Sequence, residues 1–197
     1  RLMRDGLLDR GWVSFGGFQR ESEGGKLTRS RVVQELCVLR GFADDAAGLT
    51  PLLDRLEAMG PVLFGLEPGN EDGFQRKLAL TADALPEYAD SWFSVVVETE
   101  MSASVRRVTE KPLKPLLNLH PFLVIGNPES LKLLRGYGFE TFSEVFDERY
   151  DEEPDARRRF DMVYDQVVRL CALDEAELAR LTAKVSEVLS FNACWGL

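Results

Sequence analysis

Two apolar, β-branched runs joined by one short helical segment constrain this chain more than anything else in it. The first, Trp92 to Thr99, reads Trp-Phe-Ser-Val-Val-Val-Glu-Thr. It is apolar almost without alternation, which predicts a central strand covered on both faces. The second, residues 121–125, reads Pro-Phe-Leu-Val-Ile and predicts a buried strand. Between them, residues 109–119 have the spacing of a helix. Strand, helix, strand is the connection that parallel strands require, because a tight turn cannot bring a chain back in the same direction.

The pattern continues downstream. A helix is expected over 129–136, ended by Gly136 and Gly138, and then a third short strand over Phe139 to Phe142. A long amphipathic helix is expected over about 155–171, after Pro154. Another spans Leu173 to Leu189, with Asp174 as N-cap and Glu177 completing a capping box. This alternation predicts an α/β fold, a parallel Rossmann-like sheet with flanking helices and two C-terminal helices.

The first half is less regular. Residues 1–10 read as helix, stopped by Gly11, and Trp12 to Phe15 as a short strand. Gly16-Gly17 and Gln19 to Lys26 read as loop. Ser30 to Leu39 has helical spacing closed by Gly41. Thr50 suits the N-cap of a helix from Pro51 to Met59. Pro61 to Leu66 is a short apolar run, and Pro68 to Gly73 is a break. We divide the chain into 1–85, a lead-in or the remnant of an upstream domain, and 86–197, the α/β domain. The chain opens on Arg1 and not Met, which fits a fragment or a processed chain.

Composition excludes several classes. The net charge of −9 argues against broad binding to nucleic-acid backbone. No apolar run reaches the roughly 20 residues of a membrane helix, so no integral membrane segment is expected. Three scattered cysteines and a single histidine favour neither a disulfide framework nor a structural zinc site. The expected setting is a reducing cytoplasm, with no metal and no cofactor.

In a doubly wound sheet, ligands bind beyond the carboxyl ends of the strands. Strand 92–99 delivers Glu98 and Thr99 to that edge, and the helix starting near Thr109 points its N-terminus toward it. Unpaired N–H groups and the positive end of the dipole favour an anion there. Thr109 adds a hydroxyl, and Lys111 and Lys114 add cations. A carboxylate at Glu110 suits ribose hydroxyls better than phosphate. Pro112 is tolerable in the first turn, whereas Pro115 means that the helix starts later or is kinked. Taken by themselves, the same residues fit an ordinary capped helix better than a ligand site.

The residues also resemble a family. Glu-Thr, a gap, Thr-Glu-Lys, a helix and Pro-Phe-Leu-Val-Ile-Gly are similar to the carboxyl-terminal half of GT-B glycosyltransferases. The α1,3-fucosyltransferase pattern is Phe-Glu-Asn, a gap, Thr-Glu-Lys, a helix and Pro-Val-Val-Leu-Gly. Bacterial and phage glycosyltransferase-like proteins are closer still. They match Thr109 to Lys111, Lys114-Pro115, His120 to Phe122, Gly126 to Pro128, Gly138 to Phe142 and Asp147 to Asp151. The likeness covers about residues 92–170. Thr99 stands where the fucosyltransferase pattern has Asn, and Pro112 where it has a large apolar residue, so the donor is left open.

The resemblance implies a GT-B half-domain that transfers a sugar from a nucleotide-sugar donor to a glycan or surface acceptor. It implies nucleotide-sugar contacts at Glu98, Thr99, Thr109, Glu110, Lys111, Lys114 and His120, and a cleft beside Glu148 and Tyr150. It names no catalytic residue, because the base of such enzymes commonly comes from the other domain. Read from the residues alone, His120 is more often a junction residue capping a helix end, and the acidic run 147–151 more often a solvated loop. Arg157 to Arg159 read as an exposed face. The rival reading is a non-catalytic α/β binding or interaction domain.

Overall fold

The structure, a computed structural model, describes residues 1–14, 18, 28–32, 46–60 and 86–195. The chain divides into two compact units, Arg1–Leu66 and Glu67–Leu197. Expectations for 15–17, 19–27, 33–45 and 61–85 lie outside the described residues.

In the first unit, residues 2–6 form turns and Leu8–Arg10 a single 3-10 turn, in place of the expected helix over 1–10. Residues 12–14 form no strand. Residues 29–32 are helical, and the Thr28 hydroxyl accepts the Arg31 N–H at 3.3 Å. Helix α1 spans Ala46–Met59. It therefore begins upstream of the expected cap, with Thr50 and Pro51 inside it. Leu49 and Leu53, four apart, are buried. Asp54 and Glu57 both pair with Arg29.

The second unit is mixed α/β. A short helix, α2 (Pro86–Ala89), precedes strand β1 (Ser94–Val97). Helix α3 (Glu110–Leu117) and strand β2 (Phe122–Ile125) follow. The two strands pair in parallel, with Ser94 opposite Phe122 and Val97 opposite Ile125. Every residue of β2 is buried, as its apolar run requires. The coverage of β1 differs from expectation: Val96 is buried, but Val95 and Val97 are 38% and 58% exposed. One face of β1 is thus open, and among the described residues the sheet has two strands.

Helix α3 runs through both prolines, so it does not start late. Pro115 can supply no N–H to the preceding turn, and the helix ends at Leu117. Its end is a Schellman arrangement. Leu119 adopts φ 50°, and its N–H reaches the Leu116 carbonyl at 3.2 Å. The His120 N–H reaches the Pro115 carbonyl at 2.9 Å. That geometry usually selects glycine; here leucine takes it.

Helix α4 (Ser130–Gly136) comes next and closes through Gly138, at φ +93°. A side chain on Gly138 would meet the Trp195 ring at 2.4 Å. Residues 139–142 form no strand. Instead the Asn192 side chain donates to the Glu140 carbonyl at 3.0 Å and accepts the Glu140 N–H at 2.9 Å. An amide side chain thus does what a neighbouring strand would have done.

A 3-10 turn, Glu148–Glu152, leads to helix α5 (Ala156–Cys171). Asp155 caps α5 by accepting the Arg158 N–H at 2.8 Å. Its buried stripe, Val163, Val167 and Leu170, has the spacing of one helix face. The stripe packs on β2. The expected last helix is two: α6 (Glu175–Lys184) and α7 (Ser186–Trp195), separated by the buried Val185. The capping box forms, with Asp174 accepting from the Glu177 N–H and Glu177 from the Asp174 N–H.

Candidate functional site

The carboxyl ends of the strands bring Glu98, Thr109, Gly126 and Asn127 together. The Glu98 N–H extends the ladder by one bond, to the Ile125 carbonyl at 2.8 Å. Its buried carboxylate turns to the start of α3. It accepts the Thr109 N–H at 3.0 Å and the Thr109 hydroxyl at 2.6 Å. The same threonine oxygen accepts the Lys111 N–H at 3.3 Å, which makes Thr109 the N-cap. The positive end of α3 is therefore met by a carboxylate of the chain itself. Gly126 is required for this approach, because a Cβ there would lie 3.0 Å from the Glu98 Cγ.

The Lys111 ammonium bridges Glu98 at 3.8 Å and Glu110 at 3.7 Å. Glu110 is half-buried on the first turn. Burial pushes its carboxyl upward, but its own N–H, Lys111 and Lys114 outweigh this and hold it below the usual range. Lys114 lies one turn further along α3 and is half-buried. Thr99 is exposed, and its hydroxyl accepts from Arg107 at 3.1 Å.

His120 is not part of this corner. It precedes β2, so it lies at the amino ends of the strands while Glu98 lies at their carboxyl ends. It is buried, with Nδ1 2.9 Å from the Ser94 hydroxyl and Nε2 2.8 Å from the Ser91 carbonyl. The Tyr88 ring meets it edge-on at 5.2 Å. Burial lowers its pKa, and the bond to Ser91 only partly opposes this.

The acidic run 147–151 is not a solvated loop. Asp147 caps the 3-10 turn by accepting the Arg149 N–H at 3.1 Å. Glu148 accepts the Phe142 N–H at 2.7 Å and the Thr141 hydroxyl at 2.8 Å. Asp151 accepts the Leu131 and Lys132 N–H groups at 2.9 and 3.0 Å. It thereby caps α4, whose own N-cap, Glu129, makes no side-chain cap. Burial raises both Glu148 and Asp151 above the ordinary carboxylate range. Tyr150 is buried, and its hydroxyl accepts the Val124 N–H at 3.2 Å. Burial pushes that phenol far up.

Arg159 corrects the expected exposed face of three arginines. Arg157 and Arg158 are exposed, but Arg159 is only 1% exposed. Its Nε donates to the Gly126 carbonyl at 2.8 Å, Nη1 to the Glu153 carbonyl and Nη2 to the Met101 carbonyl. Burial lowers its pKa, and Asp151, Glu153 and Asp155 work against this. Arg159 lies four residues before Val163, on the buried stripe of α5. That spacing was the signal in the sequence that could have found it. Asn127 was also missed. It is 2% exposed, and its Nδ2 donates to the Ser102 carbonyl at 2.7 Å.

Among the described residues no cluster of three His, Cys, Asp or Glu could hold a metal ion. No helix there is long and apolar enough to cross a membrane. A groove of about 750 Å³ lies between residues 143–149 and α5, lined by Phe146, Asp147, Arg149, Met162 and Arg169 among others. None of its lining residues belongs to the carboxyl edge. Buried charge and the strand ends converge at the edge and not in this groove. Compared with known protein families, curated proteins and solved structures, the chain gives no significant match.

Proposed function

We propose that the second unit is the donor-binding half of a GT-B-like glycosyltransferase, built on a Rossmann-like plan. It holds a nucleotide-activated sugar at the carboxyl edge of its parallel strands, for transfer to a glycan or surface acceptor. The observation that carries this reading is the meeting of Glu98, the Thr109-capped start of α3 and Gly126 at one sheet edge. Glu110, half-buried and held ionised, accepts hydrogen bonds from ribose hydroxyls. The Lys111 ammonium, shared between Glu98 and Glu110, turns to the leaving nucleotide phosphate. An inverting transfer would take its base from outside this corner.

A second reading, a non-catalytic α/β binding domain, is supported by a specific contact. The Glu98 carboxylate already takes both hydrogen atoms that Thr109 can donate, so the corner is satisfied without a ligand. Calorimetric titration of the full chain with nucleotides and nucleotide sugars separates the two. The donor reading expects binding that Glu110→Ala weakens by about tenfold, the loss of one charged hydrogen bond, with Arg158→Ala close to wild type. No binding by any nucleotide, or equal losses from both variants, rejects it.

A further inference from the structure

Helix α7 carries a row of side chains that the fold leaves outside. Phe191 and Trp195 are 43% and 58% exposed. They lie four apart, so they share one face of the helix. Their rings run parallel, with planes 7° apart and centroids 6.4 Å apart. Glu187, four residues before Phe191, extends the row and is exposed. Its carboxylate enters none of the ion pairs of the described residues.

The indole of Trp195 is held in place. Its N–H donates to the Tyr137 carbonyl at 3.0 Å. One face lies on the backbone of Gly138, where an added Cβ would come within 2.4 Å of the ring. An indole covered on one face and still largely exposed turns its outer face to solvent. Beneath it, Asn192 fastens α7 to the backbone of Glu140 by two hydrogen bonds. The rings are thus oriented before any ligand arrives, which lowers the cost of binding.

Size decides what can cover them. An aromatic side chain buries about 150–250 Å² in full. The exposed parts of Phe191, Trp195 and the neighbouring Tyr137 therefore offer roughly 300 Å². A stable protein partner or a second copy needs on the order of 800 Å² per side. A small ligand with one apolar face and a polar rim matches the area. A pyranose has that shape. Its axial C–H groups make a flat face that suits the negative face of an aromatic ring. Its hydroxyls suit a free carboxylate such as Glu187. The row from Glu187 to Trp195 rises about 12 Å, enough for two linked sugar rings.

We propose that Glu187, Phe191 and Trp195 form a carbohydrate-binding platform on α7, with sugar rings stacked on the aromatic faces and hydroxyls donating to Glu187. As the place where an acceptor glycan docks, it rests on the transferase reading above. As a sugar-binding surface it stands without that reading.

The test titrates the full chain by calorimetry with maltohexaose, cellohexaose and chitohexaose, and follows tryptophan emission in parallel. At least one of them is expected to bind with a millimolar or tighter dissociation constant and to shift the emission. Trp195→Ala is expected to weaken it by at least about tenfold, and Phe191→Ala and Glu187→Ala by about three- to tenfold. Trp12→Ala removes an equally exposed indole and should leave binding unchanged. Gly138→Ala keeps every contacting group but pushes the indole off its bed, and should weaken binding as well. Trp195→Phe, which keeps a ring but loses the bond to Tyr137, carries the same expectation with no change at the strained glycine.

Binding by none of the three at up to about 10 mM overturns the proposal. So does binding that survives Trp195→Ala, or a loss that Trp12→Ala matches. A dimer in sedimentation that Trp195→Ala disperses also overturns it, because a second copy then covers the rings. Oligosaccharide binding without any nucleotide binding keeps the platform and removes the donor reading. Nucleotide binding without oligosaccharide binding does the reverse.

Discussion

Glu98 and Thr109 are locked to each other: one carboxylate takes both the backbone N–H and the hydroxyl of the residue that caps α3. Eleven residues separate them, and the lock joins the end of β1 to the start of the crossover helix. Glu98→Ala is expected to cost about 1–3 kcal/mol, because it strands donors in a part-buried corner. Thr109→Ala removes one of the same bonds. The double variant should fall short of the sum by more than about 0.5 kcal/mol, as neighbours sharing an interaction do. Strict additivity in urea unfolding would mean that the lock contributes nothing.

Gly126 makes room for that lock. Its missing side chain faces the Glu98 Cβ and Cγ and the Val124 Cγ1, at 3.2, 3.0 and 3.2 Å. All three belong to packed, buried residues. Gly126→Ala should therefore destabilise by about 1–3 kcal/mol, the usual cost of overpacking. Gly136, on the last turn of α4, has nothing within 4 Å of an added Cβ. Gly136→Ala should be neutral or gain up to about 1 kcal/mol from helix propensity. Thermal unfolding of the pair checks both signs.

The three consecutive arginines at the start of α5 should behave as two classes. Arg157 and Arg158 are exposed, facing Asp161 at 3.9 Å and Glu153 at 3.4 Å. Replacing either with alanine should move stability by no more than about 0.5 kcal/mol. Arg159→Met leaves the Gly126, Glu153 and Met101 carbonyls without their donor and should cost at least about 2 kcal/mol. Equal effects at all three positions would contradict the buried placement.

These arginines mark where the sequence stops being readable. What it made legible was local: the Thr109 cap, the Asp174–Glu177 box, the limits of α5 and the apolar runs of β1 and β2. Each depends on residues within a turn or two of one another. What it hid was carried by side chains reaching across the chain. Asp151 caps a helix twenty residues upstream, and Asn192 serves Glu140 in place of a strand. Neither leaves a pattern of spacing. The candidate edge splits along the same line. Thr109, Glu110 and Lys111 were legible because a helix start gathers them. Arg159 and Asn127 were not, because only the tertiary fold brings them to that edge. His120 was misjudged for a related reason: its neighbours in sequence point to the corner, but its place before β2 sends it to the opposite end of the strands.

Leu119 holds a backbone geometry that a β-carbon resists. It is the one residue at φ 50° in the turn ending α3, and its side chain is 48% exposed, so it packs little. Leu119→Gly relieves the left-handed strain, which for an L-residue is about 1–2 kcal/mol, and gives back part of this in unfolded-state entropy. The expected net gain is about 0.5–1 kcal/mol in urea unfolding. A loss would mean that the Leu119 side chain packs more than its exposure shows.

His120 gives the chain a proton-linked stability term with a definite sign. It is the only histidine, so its ring resonance in proton NMR needs no assignment. Ser91, Ser94 and Tyr88 face it, and the Ser91 hydroxyl in turn donates to the Glu87 carbonyl. Burial holds its pKa below the ordinary 6.5. The folded state then binds the proton less readily than the unfolded state. Stability from this group is fully present above 6.5 and is lost as the pH falls through the folded pKa, at no more than about 1.4 kcal/mol per pH unit. The carboxyls raised by burial, Glu148 and Asp151, act in the opposite sense and favour the folded state toward acid. His120→Asn, compared with wild type by urea unfolding from pH 7.5 down to about 5, isolates the histidine term. The variant should lose less stability across that interval, and the NMR midpoint of the native chain should fall below 6.5. A midpoint above that value, with the same pH profile in both proteins, would show that the imidazole is neither desolvated nor linked to folding.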